Sequence, residues 1–349
     1  MKIASAATAL PPHRYPQQVL LDGFRRHWGK RLERFELLER LHVATGVDYR
    51  HLALPMERYP LANWGEANNV WIDVSLELGE KSICRALNQA GIAASSIGAF
   101  FFVSITGIAS PSIDARLINR MRLHPHIKRI PIFGLGCVAG AAGIARAADY
   151  VKAYPREAAV LLSVELCSLT VQQDDLSVAN LISTGLFGDG AAAVILTGAE
   201  VAGAPGPEVV ATRSVFYPHT EYVMGWDISD KGFQIVLSRD VPEVVLQNLG
   251  RDVDEFLADN DLTRADIGSW VIHTGGPKVL EATQAALGLS DSALEVSWEC
   301  LRRTGNLSSA SVLFVLEEVL QNRRPAAGTW GVLAAMGPGF CSELLLLRW

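Results

Sequence analysis

No cysteine pair of the CxxC kind occurs in the 349 residues, and the five cysteines (Cys84, Cys137, Cys167, Cys300, Cys341) are an odd number. This argues against a disulfide framework or a zinc site and implies a reducing, cytoplasmic setting. Basic runs are also lacking: 31 Lys and Arg stand against 37 Asp and Glu, for a net charge of −6, so nucleic acid is not an expected partner. The eight histidines are scattered, and His124-Pro125-His126 lies beside Arg120, Arg122 and Lys128, which reads as a solvated loop rather than a metal site. No apolar run reaches bilayer-spanning length, so no transmembrane segment is expected. The stretch from Met1 to Pro12 is apolar but ends at prolines, and it reads as a first strand rather than a signal peptide. What the chain does have is apolar content. It is 49% hydrophobic and 19% charged, with a mean hydropathy of +0.20. That composition supports a sizeable core and excludes disorder. The length implies two packed halves or one large α/β unit.

Hydrophobic periodicity supplies the order of elements. From Pro16 to His42, Leu20, Phe24, Trp28, Leu32, Phe35 and Leu38 recur at helical spacing. Arg25, Arg26, Lys30, Arg31, Glu33 and Arg34 fill the other face, and Gly23 and Gly29 allow one helix or two. Asn68 to Ala90 reads as a long amphipathic helix capped by Gly91. Ile97 to Ile105 is a nearly continuous apolar run, centred on Ala99 to Val103, of the kind found in a strand buried on both faces. A helix near Ile113 to Met121, a strand at Arg129 to Phe133 and a helix after Cys137 follow. Then come a strand at Ala158 to Val164, a helix at Leu176 to Thr184 and a strand at Ala191 to Leu196. Strands alternating with helices predict an α/β architecture with parallel pairing.

The Gly-, Ala- and Pro-rich stretch Gly198 to Pro207 reads as a join between two halves, residues 1–200 and 208–349. Beyond it the order repeats. Ile97-Gly98 through Thr106-Gly107 matches Ile267-Gly268 through Thr274-Gly275 at an offset of 170. Cys137 with its small-residue helix matches Asn306-Leu307-Ser308-Ser309-Ala310 at 169, and Gly188-Asp189-Gly190 matches Gly337-Pro338-Gly339 at 149. Three matches in one order predict a duplicated unit. A pseudo-twofold would then bring Cys137 and Asn306 to equivalent helix starts facing one cleft. His273, at the end of Trp270-Val271-Ile272, would stand at its opening.

The centre of this arrangement is Phe133-Gly134-Leu135-Gly136-Cys137-Val138-Ala139-Gly140-Ala141-Ala142-Gly143, a cysteine between an apolar strand and a helix of small residues. Helix N-termini stabilise thiolates, so Cys137 reads either as a nucleophile or as a plain buried cysteine. Gly140 and Gly143 lower helix propensity, which implies either close packing or space for a substrate beside the sulfur.

Five ordered motifs resemble the type III polyketide synthases, the chalcone-synthase-like branch of the thiolase fold. They are Gly136 to Gly140, Leu186 to Ala193, His273-Thr274-Gly275-Gly276-Pro277-Lys278, Thr304 to Ala310, and Met336 to Phe340. Thr274 stands where plant members usually have proline, and the basic N-terminal residues that plant enzymes place on the coenzyme A phosphates are not clearly matched. The resemblance implies a duplicated α/β fold in five αβαβα layers and a homodimer, with Ile108 to Pro111 reaching the partner. It also implies acyl-CoA and malonyl-CoA as substrates, with no further cofactor and no metal.

By the same resemblance, Cys137 is the nucleophile that carries the acyl chain. His273 pairs with the thiolate, and Asn306 completes the donor set for thioester and enolate oxygens, a role for which an amide suits because it donates without acting as a base. Phe187 is a gatekeeper. Thr106, Ala109, Ser110, Cys167, Thr170, Trp226, Ile235 and Met336 form the cavity wall, and Gly275, Gly276, Pro277 and Lys278 receive the pantetheine arm. Small Cys167 and Ile235 resemble members that accept medium or long acyl starters and release alkylpyrones or alkylresorcinols. The alternatives are a malonyl-primed tetrahydroxynaphthalene-type synthase, a 3-oxoacyl-carrier-protein synthase III, a hydroxymethylglutaryl-CoA synthase or thiolase, and a non-catalytic subunit that keeps the fold.

Overall fold

The computed structural model describes residues 1–29, 31–32 and 35–349. Its sheet strands run in the order Ile267–Ile272, Trp330–Gly337, Cys341–Arg348, Glu208–Phe216, Lys2–Ala9, Asp189–Thr197, Ala158–Leu166, Ile97–Val103 and Lys128–Ile132. Between Glu208–Phe216 and Lys2–Ala9 the strand pairing is a single pair, Lys2 with Glu208, so this is two sheets touching at a corner. Each sheet has the same internal logic. Ile97–Val103 lies parallel to Ala158–Leu166, which is antiparallel to Asp189–Thr197, itself antiparallel to Lys2–Ala9. In the second sheet, Ile267–Ile272, Trp330–Gly337, Cys341–Arg348 and Glu208–Phe216 repeat those senses in that order. The duplication read from the sequence is therefore present in the topology, with Lys128–Ile132 an extra edge strand of the first sheet.

Helices complete the layers. The long helix Trp64–Ala90 covers the outer face of the first sheet, burying Trp71, Leu78, Ile83 and Leu87 over Phe100, Phe102, Val160 and Leu162. It opens with Asn63 accepting a hydrogen bond from the Glu66 N–H and closes at Gly91, which takes the left-handed φ of 65° that a side chain resists. Val241–Ala258 and Pro277–Leu287 cover the second sheet through Val245, Leu249, Val253, Phe256 and Leu280. Ala139–Ala153 and Ser311–Asn322 lie between the sheets and touch strands of both, which makes five layers.

The central layer explains the small residues. A Cβ at Gly140 would meet the Ser309 carbonyl oxygen at 2.2 Å, and one at Gly143 would meet Leu161 Cδ1 at 2.5 Å. Of the two reasons for these glycines, close packing is the one that applies. The N-terminal periodic segment forms two helices, Gln17–Trp28 and Phe35–Ala44, which pack Leu21, Trp28 and Leu38 with Leu181. The parts of that expectation resting on Lys30, Glu33 and Arg34 lie outside the described residues. One register differs from expectation. The turn Gly136–Val138 before the first central helix corresponds to Ser308–Ala310 before the second, with positive φ at Gly136 (51°) and Ser308 (48°). The counterpart of Cys137 is thus Ser309, and Asn306 enters three residues earlier.

Candidate active site

Cys137 sits in the turn Gly136–Val138, which leads directly into the helix Ala139–Ala153, and it is buried. The opposing loop presses on it. A Cβ at Gly136 would meet Pro338 Cδ at 2.8 Å, and one at Gly337 would meet the Val138 nitrogen at 2.6 Å. The sulfur lies 3.6 Å from Ser308 Oγ. His273 follows the strand Ile267–Ile272, and its N–H donates to the Ala334 carbonyl at 3.0 Å. Its Nδ1 is buried and has no hydrogen-bond partner among the described residues.

Asn306 is the most fully oriented of the three. Its Oδ1 accepts from the Ser308 N–H at 2.8 Å and from Ser311 Oγ at 3.2 Å, which starts the turn and helix that follow. Its Nδ2 donates to the Gly275 carbonyl at 3.3 Å and keeps a second N–H for another oxygen. Its backbone forms a two-bond ladder with the Phe187 segment: Asn306 N–H to the Leu186 carbonyl, and Gly188 N–H to the Asn306 carbonyl, each at 2.9 Å. Capping and ligand recognition are both open to one side chain here.

Cys137, His273 and Asn306 line one hollow of about 30 Å³ together with Gly275 and Met336. Cys137 also borders a second hollow of about 50 Å³, walled by Thr106, Cys167, Thr170, Phe187, Trp226, Ile235, Ser308 and Pro338. Cys167, Thr170 and Phe187 are shared in turn with a larger cavity of about 770 Å³ that runs out past Arg50, Tyr59 and Trp28. Volumes of that size hold small-molecule ligands.

Not every expected residue is at this site. Ala109 and Ser110 border none of these three spaces. Asn68 brackets Ile108 by hydrogen bonds at 2.8 and 2.9 Å and leads the segment out along the helix Trp64–Ala90, where Ser110 is exposed. Lys278 is exposed on the first turn of Pro277–Leu287. Gly276 serves as that helix's N-cap at a φ of 129°, and of the four expected pantetheine residues only Gly275 borders the trio's hollow.

Sequence reading did not single out Glu165, the last residue but one of the buried strand Ala158–Leu166. Ser309 Oγ and Thr106 Oγ1 donate to it, the latter at 2.9 Å, and the Ile105 N–H donates at 3.1 Å. A lone carboxylate in such a strand is the signal that was available. Ser308 was quoted within a motif but given no role.

Burial sets the protonation of the isolated groups. It pushes the Cys137 thiol up to about 12, with the Ser308 and Asn306 contacts pulling the other way and the nearby Glu165 adding to the rise. Burial takes the His273 imidazole down to about 4 and raises the Glu165 carboxyl to about 7. The standing thiolate expected from a helix start is therefore opposed by desolvation. Desolvation opposes an imidazolium at His273 as well.

A buried cysteine, histidine and asparagine converging from two duplicated halves on one hollow define a thiol-dependent condensing enzyme of the thiolase-like class. The chain belongs to the chalcone and stilbene synthase family of type III polyketide synthases: the family's N-terminal domain matches residues 3–200 and its C-terminal domain residues 208–349. It is 51% identical to a 1,3,6,8-tetrahydroxynaphthalene synthase of Streptomyces peucetius subsp. caesius, over 99% of this chain and 93% of that one. It is 38% identical to a putative chalcone synthase of Bacillus subtilis (strain 168), over 99% and 98%. The solved tetrahydroxynaphthalene synthase of Streptomyces coelicolor A3(2), a type III polyketide synthase, superposes with a TM-score of 0.95 at 32% identity, covering 100% of this chain and 99% of that one. The protein is accordingly an acyltransferase of decarboxylative condensation, working on CoA thioesters without a further cofactor. Among the described residues no group of three metal-ligating side chains is assembled, and no helix is long and apolar enough to cross a membrane.

Proposed function

We propose that this enzyme primes itself with malonyl-CoA and extends the chain with further malonyl units to a tetrahydroxynaphthalene-type product. The observation that carries this reading is the 51% identity to a tetrahydroxynaphthalene synthase along nearly the whole chain. It supports this reading better than the expectation of an alkylpyrone or alkylresorcinol product from a medium or long acyl starter. A naphthalene skeleton has ten ring carbons, five two-carbon units, so malonyl-CoA alone can supply them all.

Cys137 acts as the nucleophile: its sulfur bonds to the thioester carbonyl carbon, its proton passes to His273, and coenzyme A leaves with that proton as the free thiol. Malonyl-CoA then loses carbon dioxide. The electron pair of the broken C–C bond becomes an enolate whose oxygen is held by the free N–H of Asn306 and by His273. The enolate carbon attacks the Cys137 thioester, a C–C bond forms as the C–S bond breaks, and the extended chain remains on coenzyme A. Phe187, between the hollow beside Cys137 and the larger cavity, is the gate we assign. The boundary between the halves is placed between residues 200 and 208. A homodimer in the cytoplasm is the proposed setting, supported by the uncovered edge strand Lys128–Ile132.

The experiment is incubation with radiolabelled malonyl-CoA alone and beside a panel of acyl-CoAs. Tetrahydroxynaphthalene or its oxidised quinone should form from malonyl-CoA alone. A product that requires an acyl-CoA and retains its alkyl tail overturns the reading. That second outcome has one structural support, the apolar part of the larger cavity's wall at Leu20, Phe24, Trp28 and Met56.

A further inference from the structure

Ser308 stands in a backbone conformation that suits glycine. Its φ is 48°, in the left-handed region that a side chain resists, and the residue at the same point of the other half, at a φ of 51°, is Gly136. The turn is held by bonds that do not involve the Ser308 side chain. The Ser308 N–H donates to Asn306 Oδ1 at 2.8 Å, and the Leu307 N–H donates to Ser311 Oγ at 2.7 Å. Glycine would keep both, so the turn has no need of the hydroxymethyl group. What that group reaches is sulfur. Ser308 is 4% exposed, its Oγ lies 3.6 Å from Cys137 Sγ, and among the described residues the sulfur is the hydroxyl's one hydrogen-bond partner. Both residues border the hollow of about 50 Å³. Of the contacts that oppose the rise of the Cys137 thiol, the one to Ser308 is the largest, ahead of Asn306. Backbone strain borne beside a reacting atom points to a role in the reaction.

We propose that Ser308 is a further catalytic residue, its hydroxyl donating a hydrogen bond to the Cys137 thiolate. This rests on the reading of Cys137 as the nucleophile. In the resting state the thiol S–H donates to Ser308 Oγ. Once the sulfur proton has passed to His273, the serine O–H turns to donate to the anion, a bond to a charged acceptor and therefore a strong one. The serine keeps its proton throughout, because an alcohol is a far weaker acid than a thiol, and no bond to its oxygen forms or breaks. The same hydroxyl meets the charge again when the C–S bond breaks in the condensation and sulfur leaves as thiolate.

The test is alkylation of Cys137 by iodoacetamide between pH 6 and pH 10, read by peptide mass mapping in the parent, Ser308→Gly and Ser308→Ala. Glycine accepts the φ of Ser308, so the first variant leaves the turn intact, and the second keeps the Cβ. Each should alkylate about tenfold more slowly at pH 7, as the loss of a hydrogen bond to a charged group implies, with its rate curve displaced to higher pH. The titratable groups around the sulfur, His273, Glu165 and Cys167, are common to all three proteins, so the displacement belongs to the hydroxyl. A side chain that only fills space predicts the reverse, since its removal opens the hollow to the reagent. A rate equal to or above the parent's in either variant overturns the proposal. Condensation is followed separately in Cys137→Ala. Product from that protein overturns the nucleophile reading, whereas the alkylation curves report on Ser308 itself.

Discussion

Gly140 and Ser309 touch across the two central helices so closely that a methyl group on the glycine would sit 2.2 Å from the serine carbonyl oxygen. Ser309 also donates to the buried Glu165 carboxylate and lies one residue beyond Ser308, the neighbour of the Cys137 sulfur. Gly140→Ala gains about 1 kcal/mol of helix propensity. The clash is with backbone and cannot be relieved by a rotamer, so overpacking of about 1–3 kcal/mol prevails. The variant should melt lower than the parent and lose condensation activity. A melting temperature equal to the parent's would contradict this.

The pairing of Cys137 with His273 predicts a labelling result. With the imidazole gone, the sulfur loses the base in its hollow that would take its proton, and burial opposes the bare thiolate. His273→Ala should therefore react with iodoacetamide at Cys137 at least tenfold more slowly than the parent at pH 7, as read by peptide mass mapping. Equal rates would mean that the imidazole takes no proton from the sulfur.

Glu165 carries a pH dependence whose sign is fixed. Burial raises its folded-state pKa to about 7, above the ordinary 4.5. Between these values the folded protein holds a proton that the unfolded chain has released, so stability falls as pH rises through that window, by at most about 3 kcal/mol. Glu165→Gln lacks this penalty. The melting-temperature difference, variant minus parent, should become more favourable to the variant from pH 5 to pH 8. A difference that does not change with pH would argue against an ionising Glu165.

Cys167 stands where the hollow beside Cys137 meets the larger cavity. A phenylalanine there fills about 50 Å³ of free space and blocks the passage. Cys167→Phe should shorten the products to lactones of fewer extensions, visible by liquid chromatography and mass spectrometry. Undiminished full-length product would show that the growing chain does not pass this point.

The duplication was legible because it leaves local marks, the same order of elements twice, whereas the trio rested on the family resemblance, since a cysteine between a strand and a small-residue helix reads equally as a core residue. The cavity was less legible. Thr106, Cys167, Thr170, Trp226 and Ile235 border one hollow, while Ala109 and Ser110 are led away by Asn68, a contact about 40 residues distant in sequence that periodicity does not register. Protonation was also hidden. A helix start favours a thiolate, and only the depth of burial reveals how strongly the surroundings oppose it.

The ladder joining Asn306 to Leu186 and Gly188 has a consequence for remodelling the enzyme. The ring of Phe187 and the amide that receives the carbonyl hang from the same rung. Widening the passage by shifting the main chain would drag the amide off its target, so larger substrates must be admitted by rotating or trimming the ring alone.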